Sequence, residues 1–126
     1  VSSVMGKFAS PFRSGYCGAK HALHGFFDAL RMEHKKDNIN VTMVCPGFVQ
    51  TQITINALTE NGTPLGTNDP QTKKGLKLTQ FCNKMRRAIA SSKWEVYYGK
   101  KEKWGVYLKR ISNRLLHAVV VRSQVR

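Results

Sequence analysis

No stretch of the 126-residue sequence comes near 18 consecutive apolar residues, which excludes an ordinary transmembrane helix. Cysteine is scarce and scattered. Cys17, Cys45 and Cys82 form no C-x-x-C, which excludes a disulfide scaffold and zinc-finger spacing and points to a reducing, cytoplasmic setting. The N-x-[ST] matches at Asn40 and Asn61 then read as chance. No internal repeat, low-complexity tract, H-E-x-x-H or P-loop pattern is present. Acidic residues are few, 7 against 21 Lys and Arg. The chain also does not start with Met, and we expect it to be part of a longer protein.

What is present fits a globular domain. Hydrophobic residues make up 41% and charged residues 22%, which excludes wholesale disorder. The charge is uneven. Residues 1–70 carry 6 basic and 5 acidic side chains, while residues 71–126 carry 15 and 2, a net of +13. The excess is therefore a local surface property of the second half.

Hydrophobic periodicity predicts the elements. Residues 1–3 read as the tail of a strand, followed by a loop with Gly6, Pro11, Arg13 and Ser14. Leu23, Phe26, Phe27 and Leu30 recur at three- and four-residue steps and predict a helix over 15–36, stopped at Asp37-Asn38. Asn40–Cys45 reads as a buried strand ending at Pro46-Gly47. Residues 52–77, with five Gly and Pro, read as a long loop or lid. A helix over 78–91 and a strand over 94–98 follow. One amphipathic helix over about 102–121 then carries the stripe Trp104, Tyr107, Leu108, Ile111, Leu115 and Val119. The alternation is α/β, with too few strands for a complete doubly wound sheet, so the chain reads as the second half of one.

Tyr16 and Lys20 stand four apart on the first helix, where side chains meet. An ammonium there stabilises a phenolate, which suits the tyrosine for exchanging a proton with an alcohol or carbonyl oxygen. Y-x-x-x-K alone arises by chance roughly 0.4 times in such a composition, and Tyr97–Lys101 is a second match. Ser3, 13 residues before Tyr16 at a strand end, lowers the chance expectation to roughly 0.03, and Tyr97 has Lys84 at that offset. A serine there can donate to a substrate oxygen. Pro46-Gly47-Phe48-Val49-Gln50-Thr51 directly follows the second buried strand, at the strand end where α/β sheets bind ligands.

These three elements, in this order and spacing, resemble the short-chain dehydrogenase/reductase family. The stretch S-S-V-M-G-K-F-A-S-P-F-R-S-G-Y-C-G-A-K followed by P-G-F-V-Q-T carries the resemblance over residues 1–51, with a looser match over 79–99. P-F-R-S-G-Y-C-G-A-K-H-A and G-F-F-D-A-L-R are similar to the membrane-associated dehydrogenase/reductase subgroup and its bacterial relatives. The resemblance implies the C-terminal half of a Rossmann-type doubly wound parallel sheet, within residues 1–99, and a basic amphipathic tail over 100–126. It implies NAD or NADP as cofactor and a carbonyl or secondary-alcohol substrate. Tyr16 would be the acid/base. Lys20 would lower its pKa and bind the nicotinamide ribose, and Ser3 would orient the substrate oxygen. Pro46, Gly47, Val49 and Thr51 would line the nicotinamide side, and 52–77 would be the substrate lid. The family's glycine-rich phosphate loop and the residue selecting NAD or NADP belong upstream, and no G-x-G occurs here.

Other signals point elsewhere. His21 and His24 are three apart but have no third ligand placed by sequence, so no metal site is expected. The basic half with interleaved Trp94, Tyr97, Tyr98, Trp104 and Tyr107 is the best case for a non-catalytic binding protein, yet it matches no nucleic-acid module. The tail combines an apolar stripe with basic residues, as helices lying on a membrane surface do. The alternative is docking on its own domain. The first helix, apolar over more than one stripe, offers a contact to a second copy.

Overall fold

The computed structural model describes residues 1–123. Its centre is a parallel pair, β1 (Met43–Pro46) and β2 (Glu95–Tyr98), with Val44 opposite Val96. β1 forms because Met43, Val44 and Cys45 are apolar without alternation and are buried on both faces. The Met43 and Gly47 amides donate to Trp94 and Tyr98 of the β2 segment. The Val44 carbonyl turns the other way and accepts from Ser2 N at 2.8 Å. Residues 1–3 therefore run along the free side of β1, where a third strand would lie. They pass into a single 3₁₀ turn, Val4–Gly6, capped by the Ser3 hydroxyl.

Helix α1 spans Ser14–Glu33, and Asn38 then adopts a left-handed conformation that turns the chain toward β1. α1 buries Cys17 and His24, whereas Phe26, in the predicted apolar stripe, is 64% exposed. The periodicity located the helix but not its inner face. Segment 52–77 is more structured than a lid of loops. It contains α2 (Pro70–Lys73), capped by the Asp69 side chain on Gln71 N, and bridges joining Val49 to Leu76 and Leu58 to Pro64. α3 (Leu78–Ala90) covers one side of the sheet, packing Phe81 and Ala88 against Val44 and Val96.

The tail differs from the single helix that its stripe predicts. It forms α4 (Trp104–Ile111) and α5 (Asn113–Arg122). At the joint, Ser112 is extended and its hydroxyl accepts from Leu115 N at 3.2 Å. A serine followed by an apolar run is a strong start signal, and here it outweighs continuation of the stripe. Val106 of α4 and Leu116 of α5 pack with Val4 and Phe8 into a second core cluster. Burial of a residue such as Phe8 contributes about 1.5–3 kcal/mol, enough to hold two short helices that would be unstable alone. Among the described residues no helix is long and apolar enough to cross a membrane.

Candidate functional site

A cleft of about 1780 Å³ opens at the carboxyl end of β1. Ser3, Tyr16, Lys20, Pro46, Gly47, Val49 and Thr51, the seven residues singled out in the sequence, all line it. They come from three separate pieces of chain: the segment beside β1, the first turns of α1, and the turn that leaves β1. Ser3 is buried. Its hydroxyl accepts from Met5 N at 3.1 Å and donates to the Pro46 carbonyl at a long 3.4 Å. That donor is held in place by a weak bond and can turn to a better acceptor. Tyr16 is exposed at the rim, and the Lys20 ammonium stands over its ring, 5.6 Å from the centroid. Among the described residues no carboxylate pairs with Lys20. Its charge is therefore available to a ligand.

The turn after β1 is fixed from two directions. Gly47 N donates to the Tyr98 carbonyl at 2.7 Å, and Phe48 N donates to Glu102 Oε1 at 3.0 Å. The Glu102 carboxylate fills a niche between Gly47 and Gly99, where a Cβ on either glycine would collide with it. Trp104, Tyr107, Ile111 and Val119 then continue the wall, so the tail helices form one side of the cleft.

Directly beneath lies a second polar group. His24, Cys45 and Glu95 converge, with one ligand-type atom of each within 4.8 Å of the others. His24 Nδ1 is 3.5 Å from Glu95 Oε1. The Cys45 thiol donates to Glu95 Oε1 at 3.7 Å, and Lys7 Nζ reaches the same oxygen at 2.7 Å. Ser2 Oγ is 3.0 Å from His24 Nε2. Burial, and next the Lys7 charge, lower the His24 pKa, with Glu95 opposing. Burial and the Glu95 carboxylate push the Cys45 thiol up to about 12, so it stays protonated.

Sequence reasoning missed Glu95 and Glu102. A signal was available: they are the two acidic residues in the +13 half, and both point inward to bonded partners. It weighed His21 beside His24 and expected no metal site there; His21 Nδ1 bonds the Cys17 carbonyl. Tyr97, of the second Y-x-x-x-K match, packs edge-on against Tyr107. Burial and Glu95 raise its phenol above the usual range, the wrong direction for a base at moderate pH.

The parallel pair within a mixed helix–strand fold agrees with the comparisons. A family model described as short chain dehydrogenase matches residues 1–62. The chain belongs to the short-chain dehydrogenase/reductase family. It is similar to the dehydrogenase/reductase SDR family protein 7-like of Anopheles gambiae, 43% identical over 76% of this chain and 30% of that relative. The protein of the same description from Drosophila melanogaster is 34% identical over 100% of this chain and 39% of its own length. Dehydrogenase/reductase SDR family member 7B of Rattus norvegicus is 33% identical over 95% and 37%. The chain thus spans between 30% and 39% of the length of these relatives.

Proposed function

We propose that this chain is the catalytic half of an NAD(P)-dependent oxidoreductase that interconverts a carbonyl and a secondary alcohol. The observation that carries the reading is the meeting of all seven residues, from three segments, around one cleft. The donor set fits the nicotinamide-ribose end of a dinucleotide. Lys20 offers ribose hydroxyls an ammonium that pairs with no carboxylate among the described residues, and Thr51 offers a hydroxyl. The phosphates would have to be held by chain outside this one, since it has no glycine-rich loop. When bound, the cofactor supplies or takes up the hydride.

The rest follows from the chain's own groups. In the reductive direction the Ser3 hydroxyl donates to the substrate carbonyl oxygen and holds it beside Tyr16. The Tyr16 phenol gives its proton to that oxygen as the carbon is reduced, which leaves a phenolate beside Lys20. The Lys20 ammonium, already over the ring, stabilises that charge. The oxidative direction reverses each transfer.

Tyr16→Phe tests the reading in the longest natural polypeptide that contains this sequence. Turnover, followed by nicotinamide absorbance, should fall by at least ~100-fold with the circular dichroism spectrum retained. Near-normal turnover would remove Tyr16 from the role. The alternative is a basic tail acting at a membrane surface, with Trp104, Ile111 and Leu115 of its stripe exposed. The inner sides of α4 and α5 are already taken up at Val106 and Leu116 by Val4 and Phe8. Tail-driven binding to anionic vesicles would weaken steeply with salt, and dinucleotide-dependent turnover would follow Tyr16 and Lys20 instead.

A further inference from the structure

We infer that His24, Cys45 and Glu95 form a binding site for one divalent transition-metal ion of zinc type, beneath the cleft and separate from it. None of the three lines the cleft, so the site has no part in the proton transfer proposed above. The donor set is one imidazole, one thiol and one carboxylate, the mixture that a borderline-soft ion such as zinc prefers. α1, β1 and β2 each contribute one ligand, and β1 and β2 are adjacent paired strands.

The geometry is close to what binding requires. In a tetrahedral zinc site, ligand atoms stand about 3.3–3.7 Å apart, from metal–ligand lengths near 2.0–2.3 Å. Here Cys45 Sγ lies 3.7 Å from both His24 Nε2 and Glu95 Oε1. Each ligand atom is within 4.8 Å of the other two, and rotation of the imidazole and carboxylate covers the remainder. Burial adds preorganisation, with Cys45 0% and His24 8% exposed. Ser2 Oγ, 3.0 Å from His24 Nε2, offers an oxygen as the fourth ligand. As the sulfur–metal bond forms, the thiol proton leaves to solvent.

Lys7 is the resident competitor. Its ammonium neutralises Glu95 at 2.7 Å, so a cation is already held where the ion would sit. The Lys7 side chain is 25% exposed and can swing outward as the ion enters. The site therefore has a built-in signature: removing Lys7 should strengthen binding, and removing a ligand should weaken it. A polar network with no affinity for metal predicts neither change.

The test is a titration of the full chain with cobalt(II), displaced by zinc(II). It uses the Cys17→Ser/Cys82→Ser background, in which Cys45 is the one thiol left among residues 1–126. One cobalt per chain and a near-ultraviolet sulfur-to-cobalt charge-transfer band that zinc abolishes are expected. Glu95→Gln should raise the dissociation constant at least ~10-fold, and Lys7→Met should lower it severalfold. Absence of the band in a chain with helical circular dichroism overturns the inference, as does an affinity unmoved by both substitutions. If the double-serine chain loses its helical signal, zinc retained after gel filtration decides. One equivalent on the unaltered chain, lost in Glu95→Gln, supports the site, and equal zinc on both overturns it.

Discussion

Tyr16, Lys20 and His24 follow one another at four-residue steps along α1, yet two of them face the cleft and the third is buried. The same change occurs between neighbours elsewhere. Ser2 turns to His24 and Ser3 to the Pro46 carbonyl, and Cys45 belongs to the inner group while Pro46 begins the outer turn. One set of elements thus builds two polar regions at different depths. At the rim the Lys20 ammonium pairs with no carboxylate among the described residues and is open to a ligand. One helical turn deeper Cys45, Ser2 and His24 are buried, and they bond one another and the half-buried Lys7–Glu95 pair. The lesson is that an i, i+4 stripe of polar residues need not be one site. Depth along the helix decides what each member can do.

Substitutions can separate the two regions. The largest effect should come from Phe8→Ala, which empties the cluster holding the tail against the cleft. It should cost about 3–5 kcal/mol in chemical denaturation. Gly6→Ala should strike only the inner region, since its Cβ would stand 2.6 Å from His24 Nε2 and 2.7 Å from Ser2 Oγ. A loss of about 1–3 kcal/mol is expected by the same method. Lys20→Met should do the converse. The unfolding midpoint should hold, while the KM for the dinucleotide rises ~10-fold or more, as expected for loss of a charge-assisted hydrogen bond. The smallest effect should be Ser112→Ala, about 1 kcal/mol, from losing the cap of α5.

The outer region was legible in the sequence because its chemistry sits at fixed spacings within short stretches. The interval from Ser3 to Tyr16, the step to Lys20 and the Pro-Gly turn are local patterns. The inner region was not legible, because Lys7, His24, Cys45 and Glu95 meet only through the pairing of β1 with β2 and the packing of α1. The order of helices and strands followed from periodicity. The inner face of α1 did not, because a buried His24 reads as polar while the exposed Phe26 reads as core. The break at Ser112 was hidden by an apolar stripe that continues across it.

Glu102 links the tail to the turn after β1, and its fit between Gly47 and Gly99 has an evolutionary corollary. The absence of a side chain at 47 and 99 is set by the carboxylate that fills that space. Where descent exchanges Glu102 for a smaller residue, the two glycines lose their constraint and are free to drift. Where either glycine gains a side chain, the glutamate must turn out of the niche, which costs its bond to Phe48 N.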